Sequence, residues 1–135
     1  MISAQNTKFA ELIIPQSVAS TATATATVSC VGFNYASVTL HIGAITTTDS
    51  TLTLTEGDGT TFATHADLSM TTAAGNTSTG QYYAWHLDLR KRKKNLKITY
   101  TPGATRLAEA TCLLTMAQES PDTATERGLA GQVVA

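Results

Sequence analysis

Charge is scarce in this 135-residue chain: Asp, Glu, Lys and Arg together make up 14%, and the net charge is −1. That balance gives no global field to attract nucleic acid or an anionic membrane. Disorder of the highly charged kind is excluded as well. Cysteine is nearly absent, with Cys30 and Cys112 as the whole complement. Two residues so far apart do not make a disulfide-stapled mini-domain, and each is read as a small buried hydrophobe, with pairing between neighbouring strands left open. No apolar run approaches the ~20 residues of a membrane-spanning helix. Met1 to Ala10 lacks a basic segment followed by an apolar one, so synthesis in the cytoplasm without an export signal is expected. The motifs of common catalytic machinery are missing too. There is no Gly-x-Ser-x-Gly, no His-Glu-x-x-His and no glycine-rich phosphate loop. The histidines His41, His65 and His86 stand without a His or Cys at metal-ligand spacing. We expect no enzyme, no cofactor and no metal.

What the chain has instead is threonine and alanine in alternating runs. Thr21 to Val28 reads T-A-T-A-T-A-T-V, and Ser50 to Thr55 reads S-T-L-T-L-T. Alternation sends every second side chain to one face of a pleated strand, and the branched Cβ of threonine suits that surface. Further alternating segments are expected as strands at Ala36 to Gly43, Thr61 to His65, Gln81 to Leu89, Asn95 to Thr101 and Leu107 to Met116. Val38, Leu40, Ile42, Leu52, Leu54, Leu96, Ile98 and Tyr100 fall on the core-facing positions. Gly32 to Tyr35, Gly57 to Gly59 and Pro102-Gly103 read as turns, and 67–80 as a long loop with a strand fragment at Leu68 to Thr71. About seven or eight short strands and no helix-period window point to an all-β fold, an antiparallel β-sandwich or jelly roll in a single domain. We expect an N-terminal arm over 1–20 carrying one short edge strand, the sandwich over 21–117, and a C-terminal tail over 118–135.

Two features are candidates for partner contact. The first is the run Arg90-Lys91-Arg92-Lys93-Lys94, five of the nine Lys and Arg in the chain. Five adjacent cations repel one another unless a partner neutralises them, so the run is expected to meet carboxylates on a protein. Nucleic acid is disfavoured because no aromatic residues interleave the block. The second is the apolar set Phe9, Leu12, Ile13 and Ile14 in the N-terminal arm. A third feature, the aromatics Phe33, Tyr35, Tyr82, Tyr83 and Trp85, allows a sugar-binding face built on Tyr82, Tyr83 and Trp85, or plain packing. Glu56-Gly-Asp58-Gly reads as a hairpin turn in preference to a calcium loop.

The order of several short segments resembles a group of small tailed-bacteriophage head proteins. These segments are Gly32-Phe33-Asn34-Tyr35-Ala36-Ser37-Val38-Thr39 with His41-Ile42-Gly43-Ala44-Ile45-Thr46, then Leu52 to Gly59, then Leu87 to Leu96, and a closing Pro121-Asp122-Thr-Ala-Thr-Glu126. The family pattern is G-F-x-S-V-x-x-x-x-G-A-I-T, a strand ending E-S-D-D-G, and a basic R-K-R-Y-L/V-R-V strand. Here Asn95 stands where the family has an aromatic, and Gly57-Asp58 stands for its double Asp. The resemblance implies a virion structural protein, a capsid decoration or cement protein on the outside of the head. Its implied partners are the major capsid protein and copies of itself, as a homotrimer or homodimer. A tail or head-tail-joining component and a carbohydrate-binding module are the alternatives.

Overall fold

A computed structural model describes residues 7–44, 50–72 and 80–117. Eight strands follow in chain order: β1 Lys8–Val18, β2 Ala24–Ser29, β3 Phe33–Ile42, β4 Ser50–Gly57, β5 Phe62–Thr72, β6 Gln81–Asp88, β7 Asn95–Thr101 and β8 Arg106–Ala117. They form two four-stranded sheets, with strand orders β1-β8-β3-β6 and β2-β7-β4-β5. Every pairing is antiparallel. Successive strands mostly change sheet, which is the double Greek key of a jelly roll.

The alternation seen in sequence is the alternation of the fold. In β3, Ala36, Val38, Leu40 and Ile42 point inward and are almost fully buried. Leu52 and Leu54 of β4, Leu96, Ile98 and Tyr100 of β7, and Ala110, Cys112 and Leu114 of β8 meet them from the two sheets. Threonine fills the opposite positions, where its hydroxyl reaches backbone: Thr25 Oγ1 donates to the Ile98 carbonyl at 3.1 Å and Thr55 Oγ1 to the Lys97 carbonyl at 3.3 Å. Trp85 of β6 ties the sheets together, its Nε1 donating to the Leu68 carbonyl of β5 at 2.9 Å. Cys30 and Cys112 are buried free thiols. A hydrogen bond with Cys30, together with burial, raises the Cys112 thiol well above its ordinary value.

Three segments differ from expectation. The segment 1–20 was expected as an arm with a short edge strand. Instead Lys8–Val18 is an eleven-residue strand paired with β8 from Lys8↔Leu114 to Val18↔Arg106, so the sandwich begins at Lys8 and not at residue 21. The reason is a pair of register shifts, between Glu11 and Ile13 and between Ile13 and Gln16. Such bulges let an edge strand carry Pro15 without ending there. They also break the strict alternation, so the neighbours Leu12 and Ile13 are both buried. Second, Phe33 and Tyr35 open β3 and do not form a turn. Third, β5 is one strand from Phe62 to Thr72, joining the strand expected at Thr61 to His65 to the fragment expected at Leu68 to Thr71, because β4 offers it partners through Ser50↔Thr72. The tail over 118–135 lies outside the described residues.

Leu40 has no exposed surface and sits on a central strand. Leu40→Ala is expected to lower unfolding free energy by about 2–5 kcal/mol, read by urea denaturation, with an unchanged m-value.

Candidate functional site

The cationic run bridges β6 and β7 at one end of the sandwich. Leu89–Lys91 forms a single 3-10 turn whose Leu89 is buried, and this anchors the connection in the core. The turn starts at Asp88, whose Oδ1 accepts the Arg90 backbone N–H at 3.0 Å. The same carboxylate grips the Arg90 guanidinium, with Nη2 to Oδ2 at 2.6 Å and Nε to Oδ1 at 2.9 Å. These charge-assisted bonds pull Asp88 down to about 2 and raise Arg90 further. The guanidinium also lies over the Tyr35 ring, 5.4 Å from its centroid.

The remaining cations divide into two kinds. Arg92 faces the buried Glu56 of β4, Nη1 to Oε1 at 3.8 Å. Lys94 folds inward, its Nζ donating to the Phe33 carbonyl at 3.0 Å. Lys91 and Lys93 are exposed and have neither an ion pair nor a side-chain hydrogen bond among the described residues. Of the five cations, Arg90, Lys91 and Lys93 are exposed, and Arg90 is already paired with Asp88, so two lysines are left to meet a partner. Sequence could not show the difference, because Glu56, Phe33 and Tyr35 lie far away along the chain. A cleft of about 430 Å³ opens beside the turn, lined by Glu56, His86, Leu87, Asp88, Lys91 and Arg92.

Beside this turn lies the β4–β5 hairpin. Asp58 Oδ1 accepts from Thr60 N at 3.0 Å, Thr60 Oγ1 at 3.1 Å and Thr61 N at 2.9 Å. The backbone bonds from Thr61 and Thr60, then the Thr60 hydroxyl, hold its carboxyl down at about 2. Gly59 takes a φ of +105°, which only glycine adopts without strain, so the expected hairpin turn is present. Gly57 pairs with Asn95 of β7, which brings this hairpin against the cationic connection. Three of the segments carrying the phage-head resemblance thus converge at one end of the molecule: the start of β3, the β4–β5 turn and the β6–β7 connection.

The apolar candidates of β1 separate by face. Leu12 and Ile13 are 9% and 2% exposed and belong to the core, while Phe9 and Ile14 are 46% and 59% exposed. Burial takes the first two out of any docking surface. The aromatic platform does not form either. Trp85 is buried and Tyr83 half-buried on the inward face of β6, leaving Tyr82 alone exposed on the outer face.

A second arrangement escaped the sequence reading. Cross-strand register places Glu109 of β8, His41 of β3 and Tyr82 of β6 in one row on the outer face of the first sheet. His41 Nδ1 donates to Glu109 Oε1 at 3.2 Å. The Tyr82 ring stacks on the imidazole with centroids 4.0 Å apart and planes 4° from parallel. Beside this row is a groove of about 280 Å³, with apolar walls from Pro15, Leu107 and Ala108 and polar groups from His41, Glu109 and Gln16. The signal lay in outward positions on three strands, but without the register nothing joined them. His65 carries no described side chain. His86 Nδ1 shares a hydrogen bond with Ser37 Oγ at 3.0 Å. Among the described residues, no group of three or more His, Cys, Asp or Glu gathers as a metal site.

No protein-family model and no curated protein sequence matches this chain. Solved structures similar to it include a protein titled "CBM4 structure and function", at 10% identity and a TM-score of 0.44 over 81% of this chain and 70% of that one. The coat protein of Tobacco streak virus is similar at 11% identity and a TM-score of 0.43, over 87% of this chain and 90% of that one. The enzymatically active domain of tailspike protein 4 of Bacteriophage CBA120 is similar at 13% identity and a TM-score of 0.48, over 82% of this chain but 20% of that one. Likeness at this level carries no argument, and the functional reading rests on this chain's own residues.

Two outcomes are expected here. Arg92→Gln removes the ion pair to a buried carboxylate and should cost about 1–3 kcal/mol, whereas Lys91→Gln with Lys93→Gln should stay within about 0.5 kcal/mol in the same chemical denaturation. For Asp58, the stabilisation tied to its lowered carboxyl is complete above its ordinary value of 3.8 and disappears as pH falls through about 2. Asp58→Ala should therefore lower the thermal midpoint at neutral pH, and the gap from the parent should close across that acid window when followed by circular dichroism.

Proposed function

We propose that this chain is a virion structural protein of the capsid-decoration kind, a jelly roll that binds the outside of a phage head and bridges neighbouring major capsid subunits. The observation that carries the reading is the convergence at one end of the sandwich. Three of the segments that resemble the phage-head pattern, the start of β3, Leu52 to Gly59 and Leu87 to Leu96, come together through Arg90 on Tyr35, Arg92 on Glu56 and Lys94 on the Phe33 carbonyl, while His41 to Gly43 lies at the other end of β3. A shared architectural end is what a motif set defined by order and spacing should build.

That end has the make-up of a docking surface. Lys91 and Lys93 stand out beside a cleft, ready to meet carboxylates on a shell protein, while the other three cations brace the turn that presents them. Exposed charges at the rim of an interface act mainly on encounter rate and salt dependence. A decoration protein compensates for modest single contacts by repetition over a symmetric lattice and by self-association, as a homotrimer or homodimer. Phe9 and Ile14, exposed on β1, supply apolar area for such contacts. Action on the exterior of the head needs neither a cofactor nor catalysis. A tail or head-tail-joining position is the nearest alternative within the same particle.

Co-sedimentation with phage heads lacking this protein tests the proposal. The expected result is saturable binding at a fixed ratio to the major capsid protein, with added resistance of the heads to heat. Replacing Lys91 and Lys93 by Gln should weaken binding about tenfold at low salt and flatten its salt dependence. Binding to isolated tails but not to heads would move the protein to the tail, and binding to neither would overturn a virion role.

A further inference from the structure

The groove on the outer face of the first sheet has no part in that reading. It lies at the far end of β3 from the cationic turn: His41 is six residues from Tyr35, which is about 20 Å along an extended strand. Its chemistry is mixed in a particular way. One wall is the His41 imidazole, backed on its β6 side by the Tyr82 ring stacked on it. Another wall is aliphatic, with Leu107 64% exposed next to Pro15 and Ala108. Between them stand a carboxylate and a primary amide, from Glu109 and Gln16. None of the residues lining the groove is Lys or Arg.

Each part limits the ligand. Without a cation, a phosphate, sulfate or carboxylate ligand would face Glu109 unsupported. A purely apolar ligand would strip water from Glu109 and Gln16 and return nothing to them. A cationic ligand would gain from Glu109, but that carboxylate already accepts from His41 and would bind only as half of a pair. What remains is a neutral ring with an apolar face and a hydroxylated edge. The face lies against Leu107 and Pro15, and the edge donates to Glu109 and accepts from the Gln16 amide. The groove's volume of about 280 Å³ is at the low end of the ~300–1,000 Å³ of small-molecule sites. That size suits one or two rings of a longer chain lying along the sheet.

The placement is also pre-organised. His41 is held on two sides, by Glu109 and by Tyr82, and all three project from strands and not from loops. A Cβ added at Gly80 would come within 2.8 Å of His41 Nε2, so the chain entering β6 passes close to the imidazole edge without a side chain in the way. Rigid donors and aromatic faces lower the entropy cost of binding.

We propose that the Tyr82–His41–Glu109 row and its groove form a binding site for a neutral, hydroxylated sugar ring of an oligosaccharide. The site is independent of the shell-docking end, so either proposal stands or falls without the other.

The test is two-dimensional NMR of the intact protein titrated separately with cellohexaose, xylohexaose, mannohexaose and maltohexaose. The proposal expects saturable shifts for at least one of them, centred on the amides of Gln16, His41, Tyr82 and Glu109. Leu107→Ser and Glu109→Gln should each weaken that binding about tenfold, as a lost apolar wall and a lost charged acceptor imply. Both side chains are solvent-facing, so thermal midpoints should stay near the parent's and show that the variants are folded. Lys91→Gln should leave sugar binding unchanged. Absence of saturable shifts with all four sugars would overturn the proposal. So would shifts centred elsewhere, or binding indifferent to Leu107 and Glu109.

Discussion

Closure of two sheets over a single layer of side chains is the constraint on which everything else in this molecule depends. Sheets in a sandwich stand about 10 Å apart, so each inward position must be filled by a side chain that meets one from the other sheet. Val38, Leu40, Ile42, Leu52, Leu54, Leu96 and Ile98 have no exposed surface at all and supply that layer. With the inner faces committed, the outer faces are left to threonine, serine and a few larger residues. The small outer side chains keep the sheet surface flat, so the exceptions, Tyr82, Leu107, Phe9 and Ile14, stand proud of it. Trp85 marks the same constraint at the margin, since its ring fills the layer while its N–H reaches the opposite sheet's backbone.

Much of this was legible from period alone. The core positions of β3, β4 and β7 follow from strict alternation, and Asn95–Thr101 was bounded to the residue. The failures share a cause: information carried by a partner strand. β1 reads as an arm because Pro15 interrupts its pattern, and only pairing with β8 and the bulges on either side of Ile13 make it a strand. β5 reads as two pieces, Thr61 to His65 and a fragment at Leu68 to Thr71 set in a loop, until β4 is laid beside it and joins them. The cationic run shows the same limit in electrostatics. Its length along the chain was plain, but Glu56, Asp88 and the Phe33 carbonyl decide which charges already have a partner. The His41–Glu109 pair was invisible for the same reason, since the two residues come from strands far apart in sequence.

The two ends of the sandwich have different characters. One end concentrates charge and resolves most of it internally: Asp88 on Arg90, Glu56 on Arg92, and the Asp58 turn close by. The other end is nearly neutral and combines aromatic, aliphatic and amide groups around a groove. A jelly roll separates them well, because its connections gather at the two ends while the strands between remain a rigid spacer. A small domain with two chemically distinct ends can meet a support at one and a second species at the other.

The pairing of β1 with β8 has a kinetic side. Lys8 lies opposite Leu114, so β1 leaves the ribosome well before the strand that completes it. At about 5–20 residues per second, β1 waits on the order of 5–20 s for its partner to be made. Through that interval it is an apolar strand with both edges open, the kind of segment that pairs wrongly with other chains. Pro15, the bulges and the charges of Lys8 and Glu11 are obstacles to such pairing, and β8 alone offers the irregular register that fits them. The features that hid β1 from a reading of the sequence are therefore the ones that guard the nascent chain while it waits.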